Sequence, residues 1–196
     1  MNAPTLEARG FAATGAVAVC LGLGVVVAVR WQIFRMAALD GVTEGLVFGV
    51  ALVAIALLAG VRPARPDWQA VAAGIAAAGV LVAISSLARW PLPPMSVGHA
   101  APFIPWVAVT TLVATAEELV LRGSLWRWTA VAAGDLAALL ATSAVFALIH
   151  VPVYGWHVVP LDFGVGLLFG GLRLWFGGPG APAVAHVLAD LATWWL

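Results

Sequence analysis

Long apolar runs, separated by short clusters of Pro, Gly and Arg, fill most of this sequence. A helix that crosses the hydrocarbon core of a bilayer needs about 20 consecutive, mostly apolar residues. The runs predict seven such helices, over about 11–29, 44–61, 68–88, 103–128, 134–150, 158–176 and 182–196. The prolines at 91–94 and the Gly-Gly-Pro-Gly sequence at 177–180 are typical of the turns between them. The pattern therefore predicts an all-α fold, a polytopic transmembrane helix bundle of about seven spans, with six to eight as the range.

Composition strengthens this prediction and limits the other classes of protein. Of the 196 residues, 63% are hydrophobic and 9% are charged, whereas a soluble domain has about 45–50% apolar and about 25% charged residues. Only lipid can cover so much apolar surface. The formal net charge of zero argues against a nucleic-acid partner. The single cysteine, Cys20, excludes an intrachain disulfide and a multi-cysteine metal site.

Ionisable residues inside the predicted spans are the candidates for chemistry, because a charge within a membrane bundle is expensive. Those that do not fall in loops are Glu117, Glu118, Arg122, His150, His186 and Asp190. Asp135 and Asp162 lie near helix starts, where an N-cap or first-turn role is the simpler interpretation.

The two adjacent glutamates are predicted to have different roles. Adjacent helix positions point about 100° apart, whereas positions four apart share a face. Glu118 and Arg122 are therefore predicted to form an ion pair within the bundle. Glu117 has no charged partner at helical spacing, and an apolar setting of this kind suits a general base.

His150 is predicted to meet Glu117 across neighbouring helices. The turn between the fourth and fifth spans centres near residues 133–134, with Glu117 about 16 residues before it and His150 about 16 after it. At about 1.5 Å per residue, an antiparallel hairpin places both at about 24 Å from the turn.

His186 and Asp190 are four apart, so both side chains lie on one helix face, where Asp190 can fix the ring tautomer of His186. The depth of His186 fits less well, since it follows the turn at 177–180 by only about six residues. The last helix must therefore begin deeper in the bundle than its predicted boundary, or a kink must intervene.

A carboxylate base, two imidazoles and a supporting acid suit the activation of water and the stabilisation of an oxyanion in peptide hydrolysis. A His-Glu-x-x-His zinc motif is absent from the sequence. One carboxylate and two imidazoles are nevertheless an acceptable zinc set, so a metalloprotease with Glu117, His150 and His186 as ligands is an alternative. A non-enzymatic membrane protein, such as a transporter or a scaffold, is the third interpretation.

Three motifs follow one another on successive apolar segments: Glu-Glu-x-x-x-Arg at 117–122, Phe-x-x-x-His at 146–150 and His-x-x-x-Asp at 186–190. This ordered set resembles the CAAX prenyl protease and bacteriocin-processing (Abi) family of intramembrane glutamic endopeptidases. The resemblance covers about residues 103–196, which would form the catalytic core, while residues 1–102 would supply further spans and their loops.

The resemblance implies a role for each motif residue. Glu117 and His150 would activate the water, His186 and the residue at 190 would form the oxyanion site, and the supporting positions are Glu118, Arg122 and Phe146. The last motif often ends in Asn, and here it ends in Asp190. An ionised carboxylate cannot donate a hydrogen bond to an oxyanion. Asp190 is therefore expected either to carry a proton or to orient His186.

The expected partners are the lipid bilayer and a peptide or membrane-anchored protein substrate, and no cofactor is expected. Members of the family trim prenylated C-terminal motifs, peptide precursors or membrane-anchored sorting tails. All nine basic residues are arginines, and this lysine-free, alanine-rich composition is typical of a bacterium with a GC-rich genome. A bacterial inner membrane is therefore the expected location, and prenylated substrates are less favoured.

Overall fold

A computed structural model of the chain describes residues 4–61, 65–88 and 102–195. The prolines predicted to form a connector at 91–94 lie outside these ranges. The helices are α1 (Leu6–Met36), α2 (Gly41–Leu58), α3 (Trp68–Ala88), α4 (Phe103–Glu118), α5 (Trp126–Ala133), α6 (Asp135–Tyr154), α7 (Val159–Phe176) and α8 (Gly180–Ala192). A π-helical segment, Leu119–Leu125, joins α4 to α5, and a short 3₁₀ turn, Trp156–Val158, precedes α7.

The predicted all-α membrane fold is confirmed, and the described ranges contain no strand. Within these ranges, six helical stretches are long and apolar enough to cross a membrane, and one of them runs without a break over 31 residues from Phe103 to Ala133. The seventh predicted span corresponds to α8, which has 13 residues. A helix of this length covers about 20 Å, which is shorter than a hydrocarbon core of about 30 Å.

The bundle buries a few charged side chains within an apolar core and exposes apolar side chains on its outside. Large apolar side chains such as Phe11, Leu58 and Trp175 are exposed on its surface, where lipid would cover them. Glu118 and Arg122, by contrast, are completely buried. The principal helix pairs are α6 with α7, α3 with α8, α2 with α4 and α1 with α5. The N-terminal helices therefore pack directly on the helices that carry the three motifs.

Glycines allow the helices around the motifs to approach closely. A Cβ built on Gly166 of α7 would lie 2.8 Å from the Cα of Ser143 in α6. A Cβ on Gly74 of α3 would lie 2.7 Å from the carbonyl oxygen of Ala181 in α8. Small residues at such contacts are characteristic of helix packing in membranes, where close backbone approach replaces the hydrophobic driving force.

The first residues of α8 pack against α3 and the loop that precedes it. Ala181 and Pro182 are buried, and Gly180 lies so close to Pro66 that a Cβ there would be 2.8 Å from the proline ring. The helix begins at Gly180, before the predicted start at residue 182. From this start the helix brings Nε2 of His186 to 3.9 Å from Oε2 of Glu117.

Replacement of Gly166 by Ala should destabilise the bundle, because the new methyl group would collide with the backbone of Ser143. Overpacking of this kind costs about 1–3 kcal/mol, so we expect a lower melting temperature and a lower yield of monodisperse protein in detergent. Gly164→Ala is the matched control on the same helix, since a Cβ there meets nothing within 4 Å. If both variants melt like the wild type, the close α6–α7 contact is wrong.

Candidate active site

Glu117 lies at the centre of the site, near the end of α4. Its side chain is 3% exposed. Its Oε2 atom lies 4.0 Å from Nε2 of His150 and 3.9 Å from Nε2 of His186. A single residue, Gly134, with φ +90°, separates α5 from α6. The chain reverses there, and Glu117 on α4 and His150 on α6 meet as predicted.

His150 is oriented through its Nδ1 atom. This nitrogen lies 2.9 Å from the carbonyl oxygen of Phe146, and the Oδ2 atom of Asp162 lies 3.3 Å from it. A backbone carbonyl can only accept a hydrogen bond, which assigns the proton to Nδ1. In the neutral ring, Nε2 is then an acceptor that faces Glu117.

His186 is oriented by Glu118 rather than by Asp190. Its Nδ1 atom lies 3.0 Å from Oε1 of Glu118, whereas its Nε2 atom is 3.5 Å from Oδ2 of Asp190. The sequence suggested that Asp190 could fix this ring, because the two residues share a helix face. The shorter contact crosses between helices, and sequence spacing gives no sign of it.

Arg122 forms a fully buried ion pair with Glu118. Its Nη1 atom donates to Oε1 of Glu118 over 2.9 Å, and its Nη2 atom donates to the carbonyl oxygen of Gly166 over 3.0 Å. The guanidinium also lies over the ring of Phe146, with 5.0 Å to the centroid. The predicted ion pair is thus present, and the same carboxylate oxygen contacts both Arg122 and His186.

Two phenylalanine rings surround the imidazoles. Phe146 makes edge contacts with His150 at 4.8 Å and with His186 at 5.4 Å between ring centroids. Phe169 of α7 lies 5.2 Å from His186. The rings fill the space beside the imidazoles and restrict their rotation.

The first motif runs into the π-helical segment Leu119–Leu125, which the sequence did not predict. The backbone carbonyl of Arg122, inside this segment, accepts a hydrogen bond of 2.8 Å from Nε of Arg173. Segments of π-helix within α-helices occur frequently at functional sites. Here the irregular turn lies directly after the two glutamates.

A cavity of about 190 Å³ opens onto Glu117, His150, His186 and Asp190. Five further polar residues line it that the sequence analysis did not assign to the site: Arg30, Ser85, Tyr154, Asp162 and Thr193. Asp162 was interpreted as a first-turn acid, and it does lie in the first turn of α7. Its position against His150 depends on how α7 packs on α6, which a single helical pattern cannot show.

The described residues include no group of three or more His, Cys, Asp or Glu side chains arranged to hold a metal ion. Zinc requires bonds of about 2.0–2.2 Å to nitrogen and oxygen. Each Nε2 atom faces Glu117, at 4.0 and 3.9 Å, while each Nδ1 contacts a protein oxygen. Zinc-ligating histidines also hold their second nitrogen in this way, so the zinc-dependent alternative needs its own test.

Comparison with known families identifies the part of the chain that holds this site. A family model described as type II CAAX prenyl endopeptidase Rce1-like matches residues 99–192. The predicted resemblance is confirmed. No curated protein and no solved structure matches the chain. The Rce1-like region runs from α4 to α8 and supports, in general terms, a CAAX-type intramembrane protease that is embedded in the membrane and acts on a peptide or protein.

Within the Rce1-like region, Arg122→Ala should lower the yield of folded protein. The substitution would leave Glu118 buried without its cation, and the loss of one partner of a buried pair costs about 3–5 kcal/mol in soluble proteins. Addition of Glu118→Gln should restore part of the yield in detergent, because a neutral amide is easier to bury. A double variant that folds no better than Arg122→Ala would contradict the pairing.

Proposed function

We propose that the protein is a glutamic intramembrane endopeptidase that hydrolyses a peptide bond near the membrane end of its substrate. The observation that carries the proposal is the convergence of both imidazole Nε2 atoms on one oxygen of Glu117, at 4.0 and 3.9 Å. In this proposal Glu117 and His150 activate water, and His186 with Asp190 stabilises the oxyanion.

The gap between Glu117 and His150 suits a catalytic water. A separation of 4.0 Å is too long for a direct hydrogen bond, but it fits two groups that a single water bridges. The carboxylate and Nε2 of His150 are both acceptors, so the water donates one O–H to each. Its lone pairs are then free to attack a carbonyl carbon as Glu117 takes the proton.

The oxyanion requires donors, and His186 can supply one. Its Nδ1–H group donates a hydrogen bond to Glu118, so a second proton on Nε2 makes the ring cationic. The carboxylates of Glu117 and Glu118 near the ring stabilise this form. A donor aimed at a developing negative charge in a water-poor site makes a large contribution to the rate. When the intermediate collapses, the C–N bond breaks and the proton held by Glu117 passes to the leaving amine.

The surroundings of the site support a membrane-bound substrate. We assign the catalytic core to residues 103–196 and the supporting spans to residues 1–102, and we place the protein in a bacterial inner membrane as a multi-pass enzyme. The substrate is then a membrane-anchored protein or an apolar peptide. No cofactor has a part in this mechanism.

Glu117→Gln should reduce cleavage by at least about 100-fold, because removal of a general base typically costs 10²–10⁴ in rate, while folding stays near normal. In the assay, liposomes that contain the purified protein are mixed with a library of membrane-anchored peptides. New peptide termini are then detected by mass spectrometry. Glu7→Gln, in an exposed first turn of α1, is the matched control. Activity of Glu117→Gln within a few-fold of the wild type would exclude this role.

Chelation separates the proposal from a zinc-dependent protease. Wild-type cleavage should persist after treatment with EDTA or phenanthroline in the same liposome assay. Loss of activity that zinc restores would instead support the metalloprotease interpretation.

Asp190→Asn should keep substantial activity, and that activity should decline less than the wild type's as pH rises. The oxyanion role needs a protonated Asp190, whereas an amide is a permanent donor of nearly the same shape. Since Glu118 already holds Nδ1 of His186 at 3.0 Å, Asp190 is not needed to fix the ring. The measurement is the pH–rate profile of both proteins. An amide variant that is nearly inactive at every pH would leave Asp190 only an orienting role.

A further inference from the structure

Arg30 connects the N-terminal half of the chain to the catalytic cavity. It lies on α1, outside the Rce1-like region, yet its side chain lines the same cavity as Glu117 and the two histidines. Among the described residues that line the cavity, it is the sole arginine. An intramembrane cation is costly and generally has a functional reason.

The neighbours of Arg30 fix the guanidinium and leave part of it free. Its Nε atom donates to Oε1 of Glu44 over 3.0 Å, and the group lies 4.3 Å above the ring of Phe48. Within the part of the chain that the structure describes, Nη1 and Nη2 make no hydrogen bond or ion pair, and the side chain is 22% exposed. The pair of terminal nitrogens is the fork that binds a carboxylate through two parallel hydrogen bonds.

The rest of the cavity determines where an anionic group could bind. Glu117 and Asp162 line it with carboxylates, which repel an anion. The wall formed by α3 is apolar over Leu81, Val82 and Ile84. A ligand that enters is therefore apolar along most of its length. Because His186 is assigned to the oxyanion, Arg30 is the cation that remains for a negative group of the ligand.

We propose that Arg30 binds a carboxylate of the substrate, and that this group is the C-terminal carboxylate of a short apolar peptide segment. The volume of about 190 Å³ favours a chain end over a long threaded peptide, because typical ligand pockets measure about 300–1,000 Å³. The inference rests on the proposed function for its substrate class, and it adds the group that the enzyme recognises. The simpler alternative is that the Arg30–Glu44 ion pair only stabilises the packing of α1 against α2.

Binding to the full chain tests the inference separately from catalysis. The Glu117→Gln protein, reconstituted in phosphatidylcholine nanodiscs, is titrated with a fluorescent, N-acylated Ala-Leu-Ala-Leu peptide that ends either in a carboxylate or in an amide. We expect the carboxylate form to bind at least about tenfold more tightly, as one charge-assisted bidentate contact provides. A third peptide, with a C-terminal amide and a glutamate as its last residue, shows whether a side-chain carboxylate serves as well.

Arg30→Gln, added to the same background, should remove the preference, so that both peptides bind with the affinity of the amide form. Arg30→Lys should keep part of it. Arg127→Gln is the matched control, because Arg127 donates to the carbonyl oxygens of Ala59 and Gly60 and does not line the cavity. The preference should persist in this variant.

Three results would overturn the inference: equal binding of the carboxylate and amide peptides, no measurable binding of the carboxylate form, or an Arg30→Gln variant that weakens both forms equally. The last result would assign Arg30 a structural role with Glu44. A wild-type protein that binds the carboxylate through Arg30 but cleaves no peptide would instead refute the proposed function and leave this inference in place.

Discussion

One buried carboxylate oxygen, Oε1 of Glu118, joins the first and third motifs. Arg122 neutralises it at 2.9 Å, and His186 contacts it at 3.0 Å. Inside a lipid-covered bundle the free-energy cost of an unpaired carboxylate is high, so both contacts of this oxygen are strongly favoured. Because Arg122 also donates to the carbonyl of Gly166, this ion pair positions α7 and α8 relative to α4. The distance between Glu117 and His186 follows from that arrangement.

The backbone around the glutamates serves the same purpose. The π-helical segment Leu119–Leu125 widens the turn that carries Arg122, and Arg173 of α7 donates to the Arg122 carbonyl. Arg122 is thus bound to α7 through both its side chain and its backbone. Gly166 makes this possible, since its missing side chain lets α7 lie against Ser143 of α6.

Helical periodicity explains which parts of the site could be predicted. The Glu118–Arg122 pair follows from a spacing of four within one helix, and the level of His150 follows from equal distances to a short turn. The contacts of Glu118 with His186 and of Asp162 with His150 join different helices. The first depends on how α8 packs against α4, and the second on how α7 packs on α6. Neither feature has a periodic signal, since both result from packing.

Two groups of helices line the cavity. Its catalytic side chains all come from α4 to α8, whereas Arg30 comes from α1 and the apolar wall from α3. Substitutions in those two helices can therefore change what the cavity accepts without touching the hydrogen bonds of Glu118. In evolution, a chain of this design could acquire new substrates through its first hundred residues while the hydrolytic chemistry stayed constant. Selectivity and chemistry are inherited as separable traits.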